Sequence, residues 1–428
     1  MKMKNGFQKF MIIWIGELIS NIGSGMTAFG LGIYVWGIIH SAVSVSLVEL
    51  AAFLPMILLS PVAGVLADRY DRRILMILGD AVSALGLIAM FFIMSVTDIA
   101  IWQICICVAF DSAFVSLLDP AYKATITDLV TEDEYTKASG MMSIASSSKF
   151  LISPVIGGIL FATFGMKLIL LIDIFTVVVT VCAIFTVRKS ITKKPVTKTD
   201  WNFFKEAKEG MSIIVKNKGV LELIVLVSLL TFYLGFLQVL SKPMILPLCN
   251  EKITGILQTV CACGMLFSSI LIGSGNFKRK YVDVMVTAFI VSGISMIGFG
   301  ATPNLILITI FGFLFFCALP YANTSLDVLV RRSIENDKQG RAWGLISLIS
   351  QLGFVVAYAL AGILSDYIFN PSLQEGGVLS NTVGKIIGTG ETRGIGLLIM
   401  ITGLFMIVTA LYIMRSKTIR ALETNGNT

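Results

Sequence analysis

Apolar runs of 18 residues or more recur along nearly the whole chain, separated by short breaks rich in glycine, proline or charge. A run of that length crosses the hydrocarbon core of a bilayer as a helix. A bilayer offers the backbone no water, so each crossing must satisfy its own polar groups, which a helix does within one segment. The pattern predicts helices at about 11–38, 45–66, 74–96, 99–120, 139–165, 168–187, 219–241, 255–275, 282–302, 304–327, 342–366 and 394–414. A polar stretch divides them into two sets of six. The expected organisation is an N-terminal six-helix bundle over 1–187, a cytoplasmic linker over 188–218 and a C-terminal six-helix bundle over 219–428. In the linker, Trp201, Phe204, Met211 and Ile214 fall near one helical stripe behind an Asp200 N-cap. That pattern fits a helix lying on the inner leaflet, and a solvated linker is the alternative.

Composition agrees with a bilayer as solvent. Hydrophobic residues make up 56% of the 428 and charged residues only 14%, against roughly 25% charged in a soluble domain. Composition also excludes several chemistries. The seven cysteines lack C-x-x-C spacing and read as packing residues in apolar runs. The only histidine, His40, stands where the first span ends, so neither a metal-binding H-E-x-x-H nor a catalytic triad can be assembled. Gly384-Lys385 lacks the rest of a phosphate-cradling loop, being followed by Ile386. The expectation is no enzyme, no metal and no cofactor.

Charge then orients the chain. With the N-terminus inside, one face collects 27 lysines and arginines, and the other keeps only Lys167, Lys242, Lys252, Lys385 and Arg393. Basic segments resist translocation, so both termini are expected to be cytoplasmic, and the net charge of +7 reports topology and not a nucleic-acid partner. The first span follows Lys2, Lys4 and Lys9 as a signal peptide would, but it is too long for an h-region and is expected to stay uncleaved.

The halves are related. A shift of 204 residues aligns Gly140–Ala162 with Gly344–Asp366 without a gap, matching Gly140/Gly344, Ser143/Ser347, Ser146/Ser350, Phe150/Phe354, Gly158/Gly362, Ile159/Ile363 and Leu160/Leu364. Seven identities in 23 positions exceed the roughly two expected of biased apolar sequence. Helices five and eleven are thus equivalents. Six spans per half means that both halves start from the same side, so the repeats are parallel and pseudo-symmetric about an axis along the membrane normal.

Between spans two and three stands Gly64-Val-Leu-Ala-Asp68-Arg69-Tyr-Asp71-Arg72-Arg73. Gly64 permits close helix approach, Asp68 can cap a helix N-terminus or pair with arginine, and Arg69, Arg72 and Arg73 anchor the inner face. A plain positive-inside loop is the bland alternative. The stretch resembles the cytoplasmic signature of the major facilitator superfamily, in which it latches the two halves. In span five, Ser153-Pro154-Val-Ile-Gly157-Gly158 is similar to the antiporter motif of proton-coupled exporters, where proline bends the helix and the glycines let it pack closely. Glu209-Gly210, Asn217-Lys218-Gly219 and the loop from Val383 to Gly396 narrow the resemblance to the macrolide-efflux-type drug exporters. One departure stands out. Such exporters commonly carry an arginine nine residues before a Pro-Ala pair in span four, and here Asp111 precedes Pro120-Ala121. That puts direct carry-over of the coupling mechanism in doubt.

Ionised groups near the bilayer centre cost at least ~2.5–3.5 kcal/mol each, so those present mark candidate sites. Asp111 in span four and Lys149 in span five both fall near mid-depth, where they form either a structural ion pair or a substrate- or proton-handling pair. Gln103, Cys107 and Asp111 share a helical face, as do Ser146, Lys149 and Ser153. Glu17, followed at helical spacing by Asn21 and Ser24, is the leading proton carrier, with a hydrogen-bonded packing role as its competitor. Burial penalises the charged form of a carboxyl, so such a group loads a proton in an apolar setting and releases it when the cavity wets. Asp173 and Asp80 sit about a turn and a half inside their spans and are expected to be paired structurally, with Asp173 kept in the transport path. Glu49 and Asp327 read as solvated interface groups, and Tyr233 and Gln238 as walls of a substrate cavity.

The resemblance implies a monomeric secondary transporter of the major facilitator fold in the plasma membrane, exporting a lipophilic, antibiotic-like small molecule against protons. An importer or uniporter, and a non-transporting membrane sensor on the same scaffold, are the alternatives.

Overall fold

The computed structural model describes residues 6–188, 211, 218–274, 280–334, 339–390 and 392–424, and the regular elements among them are all helical. The first six are α1 (Gly6–Ile39), α2 (Ala42–Arg69), α3 (Arg72–Val96), α4 (Ile101–Leu129), α5 (Tyr135–Leu151) and α6 (Ser153–Val187). Then come α7 (Lys218–Ile245), α8 (Glu251–Ser274), α9 (Tyr281–Ala301), α10 (Leu305–Ser333), α11 (Gln339–Ile363), α12 (Arg393–Arg415) and the short α13 (Lys417–Thr424). The amphipathic helix expected over 200–216 lies outside the described residues, Met211 excepted.

Eleven of the described stretches are long and apolar enough to cross a membrane. One of them, Glu132–Val187, runs 56 residues. At about 1.5 Å per residue a helix of that length would be more than twice as long as a bilayer core is thick. Gly165 resolves this: its backbone sits at φ 74°, ψ −174°, a left-handed conformation that glycine tolerates and a helix does not contain. The stretch is therefore two spans joined at Gly165, and the expected count of twelve is met. Span five also bends where the sequence placed a bend. Its helix is interrupted at Ile152, just before Ser153-Pro154, because proline has no N–H to continue the ladder.

Polar residues at the helix starts supply caps. Asp71 opens α3 by accepting from Arg73 N at 3.1 Å, and Asn304 opens α10 by accepting from Ile306 N at 2.9 Å and Leu307 N at 3.3 Å. Large apolar side chains such as Trp102, Phe175, Ile270 and Ile306 are mostly exposed, a surface that acyl chains can cover and water cannot.

The chain forms two compact units. Unit 1 is Met1–Ile39, Leu47–Asp200 and Asn250–Ile256; unit 2 is His40–Ser46, Trp201–Cys249 and Leu257–Thr428. The internal repeat reappears as the same packing pattern inside each: α3 packs on α4 as α9 does on α10, α3 on α6 as α9 on α12, and α1 on α5 as α7 on α11. The repeat pair Gly158 and Gly362 also serve alike. In unit 1 a Cβ on Gly158 would stand 2.7 Å from the Glu251 carbonyl oxygen and 3.4 Å from Gly255 Cα; in unit 2 one on Gly362 would meet Val43 Cα and the Ala42 carbonyl. Asp366, one turn beyond Gly362, accepts from Ser41 Oγ at 2.8 Å and Val43 N at 2.9 Å.

Within unit 2, Ser228 Oγ donates to the Ile349 carbonyl at 3.1 Å and Thr231 Oγ1 to the Ser350 carbonyl at 2.6 Å, drawing α7 against α11. Gly353 fills the closest point: a Cβ there would overlap the Ser228 carbonyl oxygen and Thr231 Oγ1 and lie 2.8 Å from Phe232 N. Gly353→Ala is accordingly expected to destabilise the protein by about 1–3 kcal/mol through overpacking. A lowered melting temperature in detergent reads this out, and an unchanged one would show that α7 and α11 can move apart freely.

Candidate functional site: a buried acidic cluster in unit 1

Five helices of unit 1 deliver the embedded charges. On α1, Asn21 Nδ2 donates to Glu17 twice, to its carbonyl oxygen at 2.9 Å and to Oε1 at 3.1 Å. The i, i+4 spacing read from the sequence thus becomes a hydrogen bond. The second carboxylate oxygen, Glu17 Oε2, is buried and has no partner among the described residues. On α6, Asp173 is buried, and Thr176 Oγ1 donates to its carbonyl at 2.7 Å and approaches Oδ1 at 3.4 Å. Gly23 brings α1 onto this carboxyl, since a Cβ there would overlap Thr176 Oγ1 and lie 2.7 Å from Asp173 Oδ1.

On α4, Asp111 is reached in the same manner. A Cβ on Gly86 of α3 would sit 2.6 Å from the Cys107 carbonyl oxygen and 3.4 Å from Asp111 Cβ. Lys149 on α5 is in electrostatic range of Asp111 and Asp173 alike. Among the described residues no ion pair within 4 Å joins it to Asp111. The direct Asp111–Lys149 bridge is thus corrected to one ammonium shared at longer range by two carboxyls, a looser arrangement because the three side chains come from three different helices. Asp80, expected to be structurally paired, has three carboxyls, those of Glu17, Asp111 and Asp173, as its charged neighbours among the described residues. The structure therefore brings Asp111, Lys149 and Asp173 within electrostatic range of one another inside unit 1, and Asp80 links them to Glu17 with its bonded Asn21. A group of carboxyls with a single amine can bind protons or a cation there.

Span five's motif holds α1 in place. Ser153 Oγ donates to the Ile22 carbonyl at 3.0 Å, and Gly157 meets Phe29 and Met26 at contact distance. Pro154 stands in the first turn of α6, just after the interruption at Ile152.

The α2–α3 signature is built differently from the expectation. A Cβ at Gly64 would meet nothing within 4 Å among the described residues, so the close approach expected there is not made. The side chains of Asp68 and Arg69 lie outside the described residues. Asp71 caps α3 and also receives two bonds from the Arg73 guanidinium, one of them from Nε at 2.7 Å. Arg73 Nη1 reaches the Arg188 carbonyl at 2.8 Å. Arg72 Nη1 donates to the Ala124 carbonyl at 2.6 Å and to Asp128 Oδ2 at 2.8 Å, both partners near the end of α4. Asp128 was not singled out in sequence, because span four was expected to end near 120 and the helix in fact runs on to Leu129.

Three residues expected along the cavity are committed to other bonds. Gln103 Oε1 accepts from Ala100 N at 2.9 Å, capping its own helix. In unit 2, Tyr233 Oη bonds Thr409 Oγ1 at 2.7 Å, and Gln238 Oε1 accepts from Tyr358 Oη at 2.6 Å. Unit 2 instead holds a cavity of about 440 Å³ between α7, α10 and α11, with Asn323, Thr324, Asp327, Ser347 and Ser350 on its wall. Ser347 and Ser350 are repeat-matched positions one helical turn apart, a pattern that marked this wall without identifying it. Asp327, half exposed as expected, keeps a 3.4 Å contact with Arg331.

Comparison with known proteins adds the following. A family model described as transmembrane secretion effector matches residues 6–370. Macrolide efflux protein A of Streptococcus pyogenes is 26% identical over 375 residues, which cover 86% of this chain and 92% of that protein. The staphyloferrin A transporter of Staphylococcus aureus is 24% identical over 362 residues, covering 80% of this chain and 84% of that one. Among solved structures, the nucleoside transporter NupG matches with a TM-score of 0.76 at 13% identity, over 96% of this chain and 100% of that chain, which is a likeness of fold.

Proposed function

Because the chain belongs to the transmembrane secretion effector family of the major facilitator superfamily, and is thus a multi-pass transporter and not an enzyme, we propose that it exports a lipophilic, antibiotic-like small molecule in exchange for protons. The observation that carries the coupling is the set of ionisable side chains inside unit 1: Asp111, Asp173 and Lys149 in mutual electrostatic range, with Gly86 and Gly23 bringing neighbouring helices onto the two carboxyls, and Glu17 linked to them through Asp80. Glu17 and Asp111 are the proton carriers in this reading, Asn21 orients Glu17, and Lys149 balances whichever of Asp111 and Asp173 is ionised. Proton binding shifts the inward–outward equilibrium by the difference in proton affinity between the two states, which is all that a coupling ion can supply.

Export is supported by the name of the macrolide efflux relatives. A plasma-membrane location with both termini in the cytoplasm is supported by the asymmetry of lysine and arginine. The cavity in unit 2 combines apolar walls from Val227, Leu326 and Ile346 with a few hydroxyl and amide anchors, a composition suited to a small lipophilic solute.

The test is purified protein in inside-out liposomes offered a macrolide. An acidic lumen should drive accumulation, because protons leave as substrate enters. Accumulation driven only by an alkaline lumen would make the protein a symporter and overturn export. Movement indifferent to the gradient would make it a uniporter, and binding without movement would favour a sensor.

A further inference from the structure

The coupling reading uses Glu17, Asp111 and Asp173 but leaves a fourth carboxyl idle. Asp80, near the middle of the first half of α3, is 2% exposed. Its Oδ2 has no hydrogen-bond partner among the described residues. The hydroxyl of Ser83, one turn on, donates to the Asp80 backbone carbonyl at 2.9 Å and not to its carboxyl. Among the described residues, the charged groups close to Asp80 from the helices around α3 are all carboxyls: Asp111 comes from α4, Asp173 from α6, and Glu17 from α1 behind them. Lys149 is the single cation of the cluster and is in range of Asp111 and Asp173.

A carboxyl held out of water persists only with its charge cancelled, by a cation or by a proton. Removing one partner from a buried pair leaves a charge whose cost is several kcal/mol, and at Asp80 no partner was present to begin with. The carboxyls do not converge into a group able to hold a metal ion among the described residues. Four acids, only two of them in range of the single amine, therefore need protons to be tolerated together.

We propose that Asp80 is a proton-binding residue of the coupling cluster, its Oδ2 holding a proton that the cluster exchanges during transport. An O–H bond forms at Oδ2 as the carboxylate charge is cancelled. On release that bond breaks, the proton passes to an ionised neighbour, Glu17 or Asp111, and Asp80 regains its negative charge; no electron is transferred. The inference rests on the coupling function assigned to the cluster, yet it adds a site and raises the number of protons the bundle can hold.

Infrared difference spectroscopy on the full chain in liposomes, with pH as the variable and H₂O/D₂O exchange to mark carboxylic acids, tests this without any substrate. Asp80→Asn is expected to remove one protonated-carboxyl C=O band that Glu17→Gln and Asp111→Asn retain. Potentiometric titration of the same sample should show one proton fewer bound. An unchanged set of carboxyl bands in folded Asp80→Asn overturns the proposal. Should that variant not fold, Asp80→Glu takes its place: a shifted C=O band supports the assignment and an unshifted spectrum overturns it. Because the readout needs no transport, a wild-type protein lacking proton-driven flux but retaining the Asp80 band would defeat the antiport reading and leave the proton site standing.

Discussion

Asp111→Asn is expected to abolish the accumulation of substrate that an imposed pH gradient drives, while movement down the substrate's own gradient continues. With one proton exchanged per substrate, each pH unit supplies about 1.4 kcal/mol and hence a tenfold accumulation ratio. An uncoupled variant loses that whole factor, leaving a ratio near unity at any gradient. Asp111 is the residue to change because it has Lys149 and Asp173 as charged neighbours and lies at contact distance from α3 through Gly86, so its charge is felt by three adjoining helices. Asparagine keeps the shape and cannot ionise. Glu17→Gln provides the second arm: Asn21 can still bond its amide oxygen, so the local hydrogen bond survives while the proton site is lost. Accumulation ratios measured in liposomes at two gradients decide the matter. If both variants respond to pH as the parent does, neither residue carries the proton. Exchanging Asp111 with Lys149 separates pairing from relay, since the swap keeps one charge of each sign but moves the carboxyl to another helix.

The sequence made the fold legible because the bilayer enforces it. Apolar length alone marked the spans, and the repeat over Gly140–Ala162 and Gly344–Asp366 anticipated the like packing of α1 on α5 and α7 on α11. Embedded charge was equally visible, because an ionisable residue in an apolar run stands out at once. What the pattern could not carry was the direction in which a side chain spends its bonds. Gln103 shares a face with Asp111 yet turns to its own helix start, and Tyr233 and Gln238 bond neighbouring helices of unit 2. Partners far apart in sequence were hidden for the same reason. Asp128 is 56 residues from Arg72, and Asp366 is more than 320 residues from the backbone it caps. The glycines misled in one place and informed in another. Gly64 sits in the family signature and meets open space, whereas Gly23 and Gly86, in no motif, set the helix spacing that assembles the acidic cluster.

Arg72→Met is expected to destabilise the protein by about 3–5 kcal/mol, the largest stability loss foreseen for a single side chain here. Arg72 and Asp128 are 6% and 9% exposed and bonded at 2.8 Å, so methionine would leave a carboxylate with little water and no countercharge. The arginine has a second role. By donating to the Ala124 carbonyl it places a positive group near the C-terminal end of α4, where the helix dipole is negative. Arg72→Lys keeps the charge, but both bonds come from Nη1 and a compact ammonium on a differently shaped stem does not take that nitrogen's place without shifting, so an intermediate loss is expected. The double variant Arg72→Met with Asp128→Leu removes both charges at once, and a buried ion pair replaced by apolar groups of similar size is often neutral in stability. Recovery of most of the lost stability in the double variant, measured by thermal unfolding in detergent, would show that the pair's cost lies in leaving Asp128 alone. A single Arg72→Met variant as stable as the parent would mean that Asp128 finds water or a proton there, and that α3 and α4 are held by their apolar contact alone. If the double variant is stable but no longer transports, the pair belongs to the moving parts of the cycle, since its removal would then cost function without costing the fold.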